Sequence, residues 1–182
     1  WINFPLSELG YPGESRVLDI TKGNDGSIWL ACAFAGLGKL EKNVRIKWIK
    51  FNYENYVSSV SIDKNGVVWV TSNDGVYIVK NGGFEEPEGL KIDKKFYRRI
   101  FFTGNDELFL ASLEGLIWKT KNNIKYLSVK DKEQANNVYS VFKYIKNNVF
   151  ICTRDGLYIL KNDSYEKYYN LENGFKIDMA VY

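Results

Sequence analysis

The chain has 182 residues and a formal net charge of +3, and 45% of its residues are hydrophobic, 16% aromatic and 26% charged. This composition excludes a disordered tail, and the longest apolar run, at 28–37, is too short to cross a bilayer. The weak positive charge gives no independent reason to expect nucleic-acid binding. His is absent, which removes the commonest general base and most zinc sites. We therefore expect a globular binding protein that is not an enzyme and has no cofactor or metal.

The ends of the chain and its two cysteines are weaker signals. The sequence starts at Trp1 and has its single Met at position 179, so we interpret it as part of a longer protein. Cys32 and Cys152 each lie in an apolar segment, and two cysteines are too few for a disulfide scaffold. We predict that both are small buried residues and not reactive thiols.

Four similar segments follow one another along the chain, and they begin near Val17, Val57, Tyr97 and Val138. An aromatic residue recurs at equivalent positions, which are Trp29, Trp69, Phe109 and Phe150. A glycine follows each aromatic residue at a similar distance, at Gly36, Gly75, Gly115 and Gly156. Coherent spacing of several anchors is typical of a repeat architecture with one structural unit per repeat.

Each repeat has the pattern of four short strands. A turn rich in Asn, Asp and Gly, at 24–26 and 64–66, separates the first strand from a second strand that is apolar on both faces. The turn that follows, such as 73–75, ends in the recurring glycine, which we expect to have a left-handed backbone. Weaker fourth strands are predicted at 47–51, 124–129 and 165–169, and no segment has a helical period.

Four antiparallel strands per repeat are the pattern of a β-propeller blade, so the expected fold class is all-β. Residues 1–4 are similar to a fourth strand, and 179–182 are similar to the start of a first strand. Four full blades flanked by two partial ones predict a single domain over 1–182 that is an incomplete arc of a larger propeller.

The repeats also resemble a known family. The second repeat contains NGVVWVTSNDGVYIVK and the fourth contains NNVFICTRDGLYIL, and both are similar to the two-component regulator propeller repeat. The resemblance extends from Val17 to about Asp163, and the third repeat departs most, with Phe109 in place of the usual Trp. The resemblance implies an extracytoplasmic or periplasmic sensor region of a bacterial hybrid histidine kinase, upstream of a membrane span and the kinase.

The function that the resemblance implies is non-catalytic ligand sensing, with a small molecule or an oligosaccharide as the ligand. The other expected partners are the remaining propeller blades and the downstream signalling domains of the same protein, where any kinase activity lies. Neither nucleic-acid binding nor membrane insertion by this segment is expected. The alternative is a protein-interaction or dimerisation scaffold, in which the propeller docks partners or forms a homodimer.

The first group of candidate ligand contacts lies on the turns before the recurring glycines, which share one face of the blades. Its members are Asn73, Asp74, Glu114, Arg154 and Asp155. These turns differ between repeats, whereas the turns on the opposite face are nearly uniform. For the carboxylates Asp74, Glu114 and Asp155, one interpretation is a set of acceptors for a sugar or a cation. The other, which we favour, is a set of turn residues that hydrogen-bond to their own backbone.

The second candidate lies on the first, inner strand of each blade, where Arg98 aligns with Ser58 and Tyr139. If these side chains face an axial channel, they can bind an anion or a uronic sugar. The alternative is a solvated arginine or an ion pair with Asp19.

Aromatic residues crowd the fourth strands and the links that follow them. Sugar stacking is one interpretation, and half-buried edge strands, which we favour, are the other. The residues are Trp48, Phe51, Tyr53, Tyr56, Tyr165, Tyr168 and Tyr169.

Overall fold

A computed structural model describes residues 15–41, 46–50, 56–103, 107–129, 132–143, 148–161 and 164–169. The chain divides into two compact units, Trp1–Phe96 and Tyr97–Tyr182, and each unit holds two sheets. The expected partial strands at 1–4 and 179–182, the link residues Phe51 and Tyr53, and the third-repeat turn at 104–106 lie outside the described residues. That 1–182 form one partial propeller therefore stays a prediction.

The first unit contains two blades, each a meander of four antiparallel strands in chain order. The first blade consists of β1 (Arg16–Lys22), β2 (Ile28–Ala33), β3 (Gly36–Leu40) and β4 (Ile46–Ile49). The second consists of β5 (Val57–Ile62), β6 (Val68–Ser72), β7 (Val76–Lys80) and β8 (Gly83–Glu85). The strand β8, which the sequence did not predict, has three residues and is followed by an irregular segment at 86–96.

The second unit repeats this topology. The third blade consists of β9 (Arg99–Phe102), β10 (Leu108–Ser112), β11 (Gly115–Lys119) and β12 (Ile124–Leu127). The fourth consists of β13 (Val138–Lys143), β14 (Val149–Thr153), β15 (Gly156–Lys161) and β16 (Ser164–Tyr169). Between these blades lies α1 (Glu133–Asn136), a single helical turn. The predictions of an all-β class and of four-stranded antiparallel blades are confirmed.

The turns between the first and second strands are built by Asp and Gly. Gly26 and Gly66 both have φ +81°, which favours glycine. In the second blade, Asp63 Oδ1 accepts hydrogen bonds from the backbone N–H groups of Asn65 and Val67, at 2.9 Å each. Its Oδ2 accepts a bond from the Nε1–H of Trp69 at 3.1 Å. The Asp in this turn therefore has a structural role, because it fixes the backbone and anchors the aromatic residue of the second strand.

The turns between the second and third strands use the recurring glycine in three blades of four. Gly36, Gly115 and Gly156 have φ values of +82°, +128° and +126° and pair directly with the end of the preceding strand. The prediction is wrong for Gly75, which does not have a left-handed backbone. In the second blade the ladder ends at Thr71 and Val76, and the N–H of Ser72 donates to the carbonyl of Gly75 at 2.9 Å, which closes the turn without positive φ.

A β-bulge recurs near the start of the first strand. The register of pairing with the second strand skips Leu18, Ser58 and Tyr139 in the first, second and fourth blades. In the third blade Arg99 pairs with Ala111, and the N–H of the preceding Arg98 donates to the same Ala111 carbonyl at 2.8 Å. Two residues facing one are the mark of a bulge, which bends the strand and re-aims a side chain.

Each unit has its core between its two blades. In the first unit, Trp29, Ala31 and Leu37 pack with Val57 and Val60 of the second blade. In the second unit, the corresponding group consists of Phe109, Ala111, Leu116, Val138 and Val141. All five residues of β10 are buried, as expected for a strand that is covered on both faces.

The prediction that both cysteines are buried holds for Cys32 and only in part for Cys152. Cys32 is fully buried, and burial raises the pKa of its thiol to about 11. Cys152 is only half-buried, although burial also raises the pKa of its thiol. Both thiols are therefore protonated at neutral pH, which agrees with the predicted absence of reactive thiolates.

Candidate functional site

Each blade has an end that carries the turn between its second and third strands together with the start of its first strand. We call this the 2–3 end. In the first unit it carries Asn73 and Asp74, both exposed. The hydroxyl of Ser72 donates to Asp74 Oδ1 at 3.1 Å, and the phenol of Tyr77 also bonds to this carboxylate. The side chain of Asp74 thus has two partners in its own blade, whereas Asn73 lies on the tip of the turn.

A cleft opens beside this turn, between β7 and the irregular segment at 86–96. Val76, Leu90 and Ile92 contribute apolar surface to its lining. At its edge the Nζ of Lys94 lies 2.5 Å from Glu86 Oε1. Burial and the nearby charge of Asp74 raise the pKa of Tyr77, which also lines the cleft, to about 12. The cleft therefore combines an uncharged phenol with an exposed ion pair and an apolar floor.

Three aromatic rings form a run within the first unit. Phe34 and Tyr56 are 6.1 Å apart between ring centroids, and Tyr56 and Phe96 are 6.2 Å apart, both in edge-to-face geometry. Phe34 is 51% exposed and sits on the turn between β2 and β3 with φ +65°. An exposed aromatic side chain on a left-handed non-glycine residue is a strained arrangement of the kind found at functional sites. The sequence indicated the variable turn at 33–35 but not this contact, because the three rings are far apart in the chain.

The 2–3 end of the second unit carries Glu114, Arg154 and Asp155. Glu114 is exposed, and its N–H donates to the hydroxyl of Ser112 at 3.2 Å. Arg154 is exposed, and its backbone N–H donates to the carbonyl of Asn137 at 3.0 Å. Asp155 is half-buried, and its Oδ2 accepts a hydrogen bond from the hydroxyl of the buried Tyr158. Two of the three side chains are thus presented to solvent, and the third has a partner inside its blade.

The bond between Asp155 and Tyr158 has a counterpart in the bond between Asp74 and Tyr77. Both pairs come from the pattern Asp-Gly-x-Tyr, which the second and fourth repeats share and the other two lack. Burial, followed by the bond to Asp155, raises the pKa of Tyr158 well above its usual range. The sequence analysis missed these pairs, although the repeated four-residue pattern was visible in the aligned repeats. They give Asp74 and Asp155 partners among the side chains of their own blades, whereas the favoured interpretation expected hydrogen bonds to the turn backbone.

Arg98 and Tyr139 come together in the second unit. The guanidinium carbon of Arg98 lies over the ring of Tyr139, 4.2 Å from its centroid, and both residues are half-buried. Each residue occupies the bulge position of its own blade. The predicted proximity of these two residues is therefore present in the structure, in the form of a cation–π contact.

Two other residues of the proposed channel lining have partners within the first unit. Ser58 is buried, and its hydroxyl lies 2.9 Å from that of Thr71 in the same blade. Asp19 Oδ2 accepts two hydrogen bonds from the next blade. The hydroxyl of Ser59 donates at 2.5 Å and the backbone N–H of Val60 donates at 3.1 Å. Asp19 therefore links β1 to β5.

The aromatic residues of the fourth strands have mixed surroundings. Trp48 is half-buried and packs against a small cluster of Leu30, Cys32 and Ala35, as the favoured interpretation of an edge strand expects. Tyr56 belongs to the aromatic run. The side chains of Tyr165, Tyr168 and Tyr169 lie outside the described part of the structure.

Among the described residues, no group of three or more His, Cys, Asp or Glu side chains is arranged to hold a metal ion. No helix within the same residues is long and apolar enough to span a membrane.

The fold is similar to those of several solved proteins. The virginiamycin B lyase of Staphylococcus aureus matches 79% of this chain and 51% of its own, with 15% identity and a TM-score of 0.64. The extracellular domain of a candidate hybrid two-component system from B. thetaiotaomicron matches 93% of this chain and 30% of its own, with 17% identity and a TM-score of 0.66. The WD40 β-propeller domain of Doa1 matches 86% of this chain and 55% of its own, with 12% identity and a TM-score of 0.67.

These similarities confirm β-propeller blades as the fold. The chain spans about half the length of the lyase and less than a third of the B. thetaiotaomicron domain. No protein-family model matches the sequence, and no curated protein matches it significantly. The fold is shared with the extracellular domain of a hybrid two-component system, as the resemblance to the two-component regulator propeller repeat predicted.

Proposed function

We propose that the chain is an extracytoplasmic, non-catalytic ligand-sensing propeller region of a two-component signalling protein. The observation that carries the proposal is the fold shared with the extracellular domain of a hybrid two-component system over 93% of this chain. The side chains at the 2–3 ends of the blades are consistent with it. All of the candidates but Asp155 are exposed, they differ between blades, and they sit on four-stranded sheets, where binding residues are commonly placed.

The proposal of a non-catalytic role needs a reason, because the structurally similar virginiamycin B lyase is an enzyme. A catalytically inactive form of that lyase, solved with quinupristin, carries a histidine-to-alanine substitution. The present chain has no His at any position, so it lacks the type of residue that was replaced to inactivate the lyase. Its two thiols have raised pKa values and are poor nucleophiles at neutral pH.

The remaining blades of the same protein are the proposed partners of the first blade. Val17 is 45% exposed and Ile20 is 61% exposed, although their equivalents Val57 and Val60 are buried against the preceding blade. Exposed residues at positions that are core in other blades indicate a surface that another blade covers. The same exposure is the observation that favours the second candidate function, a scaffold that docks a partner protein or a second copy.

Calorimetric titration of the complete extracytoplasmic region with a panel of oligosaccharides and organic anions tests the sensor proposal. We expect at least one ligand to bind and to be recovered chemically unchanged. Substitution of Asn73 or Arg154 by Ala should weaken binding, whereas Asn65→Ala, at the other end of the second blade, should not. Turnover of a bound compound would refute the non-catalytic role, and binding that all three variants retain would refute the site.

A further inference from the structure

We propose that Arg98 and Tyr139 form a subsite for an oxyanion, such as a carboxylate, sulfate or phosphate group, carried by the ligand. The inference rests on the proposed sensing function, because it names the chemical class that this end of the second unit recognises. Three features of the described residues support it: the free donors of the guanidinium, the bulges that position both side chains, and the charges nearby.

The guanidinium of Arg98 contacts an aromatic ring. Within the described part of the chain, no carboxylate or carbonyl oxygen accepts a hydrogen bond from this side chain, and its partner is the ring of Tyr139 at 4.2 Å. A guanidinium carries five N–H donors in one plane. Those donors match the two oxygens of a carboxylate or sulfate, which can accept two parallel hydrogen bonds.

The two bulges hold this pair in place before any ligand arrives. Arg98 and Tyr139 occupy the same position in consecutive blades. After that position, the first strand of each blade pairs regularly with the second strand. The half-buried ring restricts the guanidinium, so less conformational entropy is lost when an anion binds than for a freely rotating surface arginine. A pair presented by two rigid sheets is therefore a better anion site than an isolated arginine on a loop.

The charges at this end of the second unit favour an anion. Arg98, Arg99 and Arg154 supply three positive charges, and Glu114 and Asp155 supply two negative ones. The carboxylate of Asp155 already accepts the hydroxyl of Tyr158. The positive charge of the Arg98 guanidinium attracts an oxyanion and opposes a cation at this subsite.

NMR titration of the Arg side-chain Nε–H signals in the ¹⁵N-labelled chain is the direct test. The probes are sodium glucuronate and sodium sulfate, with glucose as the neutral control. We expect the Arg98 signal to shift and saturate with at least one anion and to stay unmoved with glucose. Tighter binding of glucuronate indicates a ligand with a carboxylate, and tighter binding of sulfate indicates a sulfated or phosphorylated ligand.

Four variants separate the subsite from general charge attraction. Arg98→Gln should weaken anion binding at least about tenfold, as expected for loss of charge-assisted hydrogen bonds. Arg99→Gln, which removes the same charge one residue away, should change affinity less than about twofold, because one screened surface charge contributes little. Tyr139→Phe should keep the affinity and Tyr139→Leu should reduce it, because only the ring is required.

Equal losses in Arg98→Gln and Arg99→Gln, or equal shifts with glucose and glucuronate, would overturn the oxyanion subsite. So would the absence of saturable binding by either anion. Failure of the subsite differs from failure of the sensing function. If calorimetry shows a neutral ligand that binds Arg98→Gln and the unchanged chain equally, the sensor stands and the anion class is wrong.

Discussion

At the residue scale, the pairs of Asp and Tyr show how a turn residue acquires a structural role. The Asp of the turn accepts a hydrogen bond from a Tyr three residues later, on the strand that leaves the turn. The carboxylate replaces water as the partner of the phenol, so the Tyr can be buried without an unsatisfied hydroxyl. Tyr158, which is 2% exposed, is the stronger case of the two.

Tyr158→Phe is expected to lower the free energy of unfolding by about 1.5–3 kcal/mol, since it removes a hydrogen bond to a charged group. The measurement is urea unfolding followed by fluorescence. Tyr126→Phe is the matched control. Because Tyr126 is 58% exposed, its substitution should change the free energy of unfolding by less than about 0.5 kcal/mol. Equal effects of the two substitutions would show that the bond to Asp155 contributes nothing.

The raised pKa of Tyr77 predicts a loss of stability in alkali. The folded protein holds the phenol proton up to a pKa of about 12, whereas an unfolded chain releases it near pH 10. The contribution of the Tyr77 phenol to the free energy of unfolding is therefore complete below about pH 10 and is lost as the pH rises towards 12. Urea unfolding between pH 9 and 11 should show a steeper decline for the unchanged chain than for Tyr77→Phe. Parallel declines would contradict the assigned environment of Tyr77.

The residue scale is also where sequence prediction was weakest. The turn residues Asn73, Asp74, Glu114, Arg154 and Asp155 could be placed at one end of their blades because the repeat aligns them. Which carboxylates already have a partner could not be read from spacing alone, because that depends on rotamers and on burial of the Tyr. The run of Phe34, Tyr56 and Phe96 depends on tertiary contacts between three turns or links, and single-sequence patterns do not contain them.

At the element scale, the four-stranded blade was predictable because its chemistry is local. Turn residues and apolar runs recur in every repeat, so each repeat supports the assignment of the others. The missed elements, β8 and α1, have three and four residues and lie in links that differ between repeats. Gly75 was mispredicted although two residues separate it from Ser72, as in the turns before Gly115 and Gly156, so the length of the turn alone does not set its backbone angle.

Gly36→Ala tests the close approach at the turn between the second and third strands. A Cβ at Gly36 lies 2.5 Å from the carbonyl oxygen of Ile49, and the residue has φ +82°. Gly82 has a similar φ of +77° with no atom within 4 Å of its Cβ, so Gly82→Ala isolates the cost of the left-handed backbone, about 1–2 kcal/mol. Gly36→Ala should cost about 1–3 kcal/mol more in urea unfolding, because the fourth strand must move. Equal costs would contradict the packing of β3 against β4.

Phe109→Ala tests the aromatic anchor of the blade. Phe109 is 1% exposed and stacks on Trp118 with ring centroids 5.7 Å apart, so its loss should cost about 3–5 kcal/mol. Trp69, the equivalent residue of the second blade, is half-buried and bonded to Asp63, so Trp69→Ala should cost less. Calorimetric melting of both variants compares them. A larger loss for Trp69→Ala would show that the blade interfaces are wrongly assigned.

At the scale of the whole molecule, the blades share one repeated strand pattern and differ in the turns at their 2–3 ends. The turns between first and second strands use the same Asp and Gly chemistry in the first two blades, with Asp25 and Asp63 accepting bonds from their own turns. The hydroxyl and backbone of Ser27 hold the pKa of the Asp25 carboxyl well below its usual range. The 2–3 ends instead carry Phe34, Asn73, Leu113 and Arg154 at one equivalent position. In the first unit, blades with similar turns at one end and different turns at the other supply what an asymmetric binding surface requires.

Hydrogen–deuterium exchange of the complete extracytoplasmic region, with and without the ligand found by calorimetry, tests the central claim most directly. The account predicts slower exchange in peptides that carry the 2–3 ends, among them 33–36, 72–75, 96–99 and 153–156. It predicts no change in the turns at 24–26 and 64–66, and a ligand that mass spectrometry recovers intact. Protection confined to those opposite turns, or conversion of the ligand into a product, would contradict it.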